Sequence, residues 1–192
     1  NRYIAEKLYL DKFTLVNDFE HNANSPSFMG KALYSKTDIL KEFACVLNKY
    51  SQDRTILLNI VNILGINVLV GVVHLSFNND NYLSRELHKI VKVLQKLDGL
   101  GLPQIILGDF NNDFNNDKKK HIFKILKDYG LRLISSMKAT AFNQNSKGVC
   151  IDQIYASKQF MDLFTVVNRD VVESTESDHY PIFIDVIKKY KI

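Results

Sequence analysis

TILLNIVNILGINVLVGVVHL, residues 55–75, decides how the rest of the chain is read. Its two apolar runs, 55–63 and 66–75, are rich in β-branched residues and are separated by Leu64 and Gly65. Gly65 can take a positive φ, so the stretch reads as a β-hairpin with His74 at the exit of the second strand. Downstream, Leu83, Leu87, Ile90, Val91, Leu94 and Leu97 fall on one helical stripe, with Ser84 placed to cap it. The turn DGLGLP then leads into the aliphatic strand QIILGDF, 104–110. A second helix is expected from about Asp117, capped by Asn116 or Asp117, with Ile122, Ile125, Leu126 and Tyr129 on one face and Gly130 at its end.

Further strands are expected at 150–157, 164–167 and 180–187. Upstream of the hairpin, 2–10 has helical spacing, 13–16 reads as a strand, 17–27 as a loop and 28–36 as extended. The stretch 40–50 suits a helix or a strand. Many strands, few helices, and hairpins beside longer crossovers predict an α+β fold of two packed sheets with helices on their outer faces. No repeat or low-complexity linker divides the chain, so residues 1–192 are expected to form one domain.

The bulk numbers agree with a single core: 192 residues, 46% of them hydrophobic. A formal charge of +4 favours an anionic partner, either nucleic acid or a phosphorylated lipid. Cys45 and Cys150 lack metal-type spacing, which argues against a zinc site or disulfide framework and favours a reducing compartment, with secretion left open. No apolar run approaches the roughly 18 to 20 residues of a membrane span, so the chain reads as soluble, with the cytoplasm favoured. No oligomeric interface is legible. The chain begins at Asn1 within a helical pattern, as expected of a fragment or a processed product.

Four segments end strands in polar groups: VVHLS at His74, LGDFN at Asp109 and Asn111, IDQIY at Asp152, and SDHYP at Asp178 and His179. Side chains launched from neighbouring strand ends converge on one rim, and strands hold them more rigidly than loops. Two histidines, three carboxylates and a carboxamide can bind a hard cation and move protons. The side-chain period of two predicts that Asp109 and Asn111 share a side while Phe110 turns into the core. There the acid can hold a water or a metal, the amide can donate to a phosphate oxygen, and Gly108 leaves room for close approach.

In that order, VVHL, LGDFN, IDQIY and SDHYP resemble the endonuclease/exonuclease/phosphatase superfamily of magnesium-dependent phosphoesterases, which includes deoxyribonuclease I. The resemblance runs from about Phe28 to Val186. It implies a four-layer α/β/β/α sandwich of deoxyribonuclease I type, with the site at one edge of the paired sheets. It also implies that Asp109 orients or deprotonates the attacking water, that Asn111 contacts the scissile phosphate beside it, and that His179 contacts the phosphate and handles a proton. Asp152 then accepts a hydrogen bond from His179, and His74 stabilises charge on the phosphate or leaving group. Asp178, with Asp109 and Asn111, sits on the metal side. The implied cofactor is Mg²⁺, with Mn²⁺ as a substitute. The implied substrate is nucleic acid first and a phosphoinositide second, with an inactive binding module as the reading from another class.

The chain departs from the family in one respect. Members open with a strand carrying an asparagine and a second strand ending in a magnesium-binding glutamate; before residue 28 the glutamates available are Glu6, in a helical setting, and Glu20, in a loop. Loss of those first strands would weaken metal binding in this form. Taken singly, each motif also has a plain structural reading. His74 could be a satisfied strand-end histidine, NND at 111–113 a polar turn, and Arg85 a scaffold residue. The run Lys118, Lys119, Lys120 reads as a solvated helix face, with contact to a substrate phosphate as the alternative for Lys118 and Lys119.

Overall fold

The computed structural model describes residues 14–18, 32–35, 56–75, 80–117, 120–142, 148–173 and 177–190. The expected helix at 2–10 and the ambiguous stretch 40–50 lie outside the described residues. In chain order the strands are β1 (Thr14–Asp18), β2 (Ala32–Ser35), β3 (Ile56–Ile63), β4 (Ile66–His74), β5 (Gln104–Asp109), β6 (Leu131–Leu133), β7 (Asp152–Ser157), β8 (Phe164–Val171) and β9 (Ile182–Lys188). The helices are α1 (Asp80–Leu97), α2 (Lys120–Tyr129) and α3 (Lys158–Leu163), with a 3-10 turn at Asp98–Leu100.

Five strands form one mixed sheet in the order β3-β4-β5-β7-β6. β4 and β5 are parallel, joined by the α1 crossover, and every other neighbouring pair in that sheet is antiparallel. β8 and β9 form an antiparallel pair, and so do β1 and β2, with β1 lying beside β3. Strand alternation sends Ile56, Leu58, Ile60, Leu69, Val73, Ile106 and Tyr155 to one face, where α1 and α2 cover them. Val68, Val70, Ile105, Ile154 and Ala156 go to the other, against Phe160 and Phe164 and the inward residues Val166, Ile182, Ile184 and Val186 of the β8–β9 layer. A helix layer, the mixed sheet and a second sheet therefore stack as an α+β sandwich. Because both faces are covered, β3, β4 and β5 are apolar almost continuously rather than alternately.

The hairpin of residues 55–75 forms in the expected register, with Ile63 opposite Ile66. Its turn requires more than a glycine, since Leu64 also takes a positive φ, 50°, beside 80° at Gly65. All six residues of the predicted stripe are buried on α1, but the helix begins at Asp80, so Ser84 lies a turn inside rather than at the cap. α2 ends as expected, with the Gly130 N–H donating to the Lys127 carbonyl. Ser157 accepts a hydrogen bond from the Phe160 N–H and so caps α3, a helix of six residues that periodicity did not reveal.

Candidate active site

The parallel register of β4 and β5 sets His74 opposite Asp109, and the antiparallel register of β5 and β7 sets Asp109 opposite Asp152. Three polar residues thus stand side by side at the ends of three adjacent strands. By alternation with Val70, Ile105 and Ile154, all three project toward the face that carries the β8–β9 layer. Gly108 makes this approach feasible. Its φ is +136°, and a Cβ there would lie 2.0 Å from the Val73 carbonyl oxygen.

Asp109 and Asn111 meet through a turn rather than through a continuing strand. β5 stops at Asp109, and Asn111 has a left-handed φ of 49°, which asparagine tolerates better than most residues. The Asn111 N–H donates to Asp109 Oδ1 at 2.7 Å, and its Nδ2 donates to Asp109 Oδ2 at 3.0 Å and to the Leu75 carbonyl at 2.6 Å. Both amide hydrogens are therefore engaged within the protein, and among the described residues the carbonyl oxygen of Asn111 has no hydrogen-bond partner. The side chain is disposed to accept or to ligate rather than to donate to a phosphate as expected. Between the two, Phe110 is fully buried and packs edge-on against Tyr155 and Phe123.

His179 arrives from the segment before β9. Backbone bonds from Phe142 N to Asp178 O and from Tyr180 N to Thr140 O pin that segment, and the His179 N–H donates to Ser177 Oγ. Nδ1 of His179 then lies 2.9 Å from Asp152 Oδ2, while Nε2 of His74 lies 3.5 Å from Asp109 Oδ2. Burial raises the Asp109 pKa above the ordinary carboxylate value; the Asn111 N–H opposes this, the Asp152 charge adds to it, and the two histidines oppose it. At His179 burial acts to lower the pKa, but the charge and hydrogen bond of Asp152 and the charges of Asp109 and Asp178 outweigh it, leaving the imidazole more basic than usual.

The structure thus brings together His74, Asp109, Asn111, Asp152 and His179. Asp178 is exposed beside them, with Ser177 Oγ 3.4 Å from its carboxylate. Arg85 is an exposed residue of α1. Lys118, Lys119, Glu6 and Glu20 lie outside the described residues. Cys150 is buried, and burial and then the nearby Asp113 and Asp152 charges push its thiol up to about 11, so it is no nucleophile. Motif reading missed Thr140 and the Leu75 carbonyl, because neither residue type signals chemistry by itself.

Among the described residues, no three His, Cys, Asp or Glu side chains converge as a metal cage. Mg²⁺ rarely needs one: it keeps several waters and takes one or two carboxylates. Asp109, Asp178 and the Asn111 carbonyl oxygen are hard oxygen donors of that kind, so the donor chemistry fits a hydrated divalent cation.

The sequence pattern of the Endonuclease/Exonuclease/phosphatase family matches residues 3–179. Among solved structures, the endonuclease domain of TRAS1, a telomere-specific non-LTR retrotransposon, superposes with a TM-score of 0.68 at 14% identity, covering 96% of this chain and 90% of that one. The 3′ phosphatase NExo from Neisseria, bound to a product DNA hairpin, gives 0.65 at 14% identity over 94% and 82% of the two chains. An AP endonuclease from Archaeoglobus fulgidus gives 0.64 at 14% identity over 96% and 82%. No curated protein matches. At these identities the structural likeness shows the fold, the deoxyribonuclease I-like sandwich expected from the motifs.

Proposed function

Because the chain belongs to the Endonuclease/Exonuclease/phosphatase family, a family of nucleases and phosphatases, we propose that it hydrolyses phosphodiester bonds in nucleic acid with the help of Mg²⁺, or Mn²⁺ in its place. One observation carries the reading: His74, Asp109 and Asp152 stand in register on three adjacent strand ends, with His179 2.9 Å from Asp152. Such a rim presents a base, a charged donor and a cation ligand to one phosphorus.

In this reading Asp109 accepts a proton from water as the water oxygen bonds to phosphorus and the ester P–O bond breaks. Its elevated pKa makes it a better proton acceptor than an ordinary carboxylate. One oxygen is anchored by the Asn111 N–H, which fixes the direction of the other. Asp152 holds Nδ1 of His179 and so directs Nε2–H outward, toward a non-bridging oxygen whose charge grows during attack. His74, beside Asp109, adds a second donor. Asp178, Asp109 and the Asn111 carbonyl oxygen would hold the cation, which when bound supplies positive charge beside the phosphoryl oxygens.

The charge of +4 supports an anionic substrate, and the likeness to the TRAS1 endonuclease domain and to an enzyme bound to a DNA hairpin supports nucleic acid over a phosphoinositide headgroup. The test is hydrolysis of plasmid DNA, an RNA oligonucleotide and an inositol phosphate with Mg²⁺, Mn²⁺ or EDTA. Cleavage of nucleic acid that EDTA stops is expected. Hydrolysis confined to the inositol phosphate, or cleavage undiminished by Asp109→Ala, would overturn the reading.

A further inference from the structure

We infer that Thr140 is a positioning residue, its hydroxyl setting Asp152 against His179; the inference rests on the hydrolytic reading of this site. Thr140 is wholly buried. Its Oγ1 accepts the N–H of Ile151 at 3.1 Å and of Asp152 at 2.9 Å, and its own hydrogen is directed to the Val149 carbonyl at 3.4 Å. A hydroxyl has one donor and two acceptor sites, so all three are in use. On its main chain, Thr140 donates to the Val149 carbonyl at 2.8 Å and accepts the Tyr180 N–H at 2.6 Å.

One residue therefore grips both halves of the pair. The hydroxyl fixes the backbone from which the Asp152 side chain departs, at the first residue of β7. The carbonyl fixes the residue directly after His179. Thr140 makes no hydrogen bond to either side chain, yet each is one short lever away from it. The grip divides cleanly by chemistry: the carbonyl survives any substitution, whereas the hydroxyl is lost in valine and kept in serine. Loss of the hydroxyl strands two partly buried N–H groups, which must seek other partners, and the start of β7 shifts as they do. Ala141 would still bridge Val149 and His179, so the loop has means to stay closed without the hydroxyl.

The test compares Thr140→Val, Thr140→Ala and Thr140→Ser in the full chain, with folding checked by circular dichroism. The first readout is the downfield proton resonance of the hydrogen-bonded His179 Nδ1–H, recorded without added metal. The second is kcat and KM on a nucleic acid substrate. Thr140→Val should lose the resonance and about 10²-fold in kcat, the scale on which small misplacements act, with KM changed by less than about threefold. Thr140→Ser should keep the resonance and return kcat to within about threefold of wild type. Should the valine variant fail to fold, alanine answers the same question, since a water can enter the space. Persistence of the resonance without the hydroxyl, or a serine variant as impaired as valine, overturns the inference. A wild-type chain that hydrolyses no nucleic acid overturns the proposed function instead, and the resonance still decides the role of Thr140.

Discussion

Nδ1 of His179 sits 2.9 Å from Oδ2 of Asp152, 27 positions away in sequence, and the charge of Asp152 makes the imidazole more basic than burial alone would allow. A pKa raised by folding means that the protonated histidine binds the folded state better. Its stabilising contribution is fully present below the unfolded value near 6.5 and is lost as pH rises through the higher folded value. Asp152→Asn should therefore lower Tm most at pH 6.5 and below, and the gap from wild type should close on the alkaline side. Melting curves across that range test it; a gap that widens with rising pH would contradict the sign.

Asp109 has linkage of the same sign, since folding raises its pKa too, but here the protonated form that the folded chain favours is the neutral one. Burial raises the pKa of its carboxyl, so its ionised form is less at home in the folded chain than in the unfolded one. Asp109→Asn should raise Tm near neutral pH while lowering kcat about 10²- to 10³-fold, the usual scale for removing one charge-handling group. Denaturation and rate measurements on one preparation test both halves.

Asp178 is exposed and takes no part in the His179–Asp152 contact. Asp178→Ala should leave Tm unchanged at alkaline pH, where His179 is neutral, and raise the Mg²⁺ concentration for half-maximal rate by at least about tenfold. A metal titration with unchanged midpoint would remove Asp178 from the cation site.

Gly108→Ala should cost about 3 kcal/mol or more in urea denaturation, because the new Cβ meets the Val73 backbone 2.0 Å away at a φ that L-residues avoid. This strain falls between His74 and Asp109, so activity should fall with stability.

Leu64 is 55% exposed and holds a φ of 50° in a two-residue turn. Asparagine is preferred there, and Leu64→Asn should stabilise the protein by about 0.5–1 kcal/mol with activity unaltered.

Much of this was legible in residues with strong periodicity. The hairpin of 55–75 and the stripe from Leu83 to Leu97 were readable because long apolar patterns leave few alternatives. α3 was not, since six residues make less than two turns and carry no period; its one local mark is the Ser157 cap. β6, three residues long, gives even less. The motif order named His74, Asp109, Asn111, Asp152 and His179 together, but not how they meet. The left-handed turn at Asn111 reverses which end of its amide is free, and that depends on the Leu75 carbonyl, which no side-chain motif encodes. Thr140 was invisible for a similar reason, as its partners are backbone groups.

The register that aligns β4, β5 and β7 has a bearing on biosynthesis. His74, Asp109, Asp152 and His179 come from four separate stretches, joined through a parallel pairing that has to wait for its crossover helix. Such distant encounters form slowly and together. A growing polypeptide cannot bring these four side chains together until the residues around His179 have left the ribosome, so the proposed activity would arise only once the last strands are made.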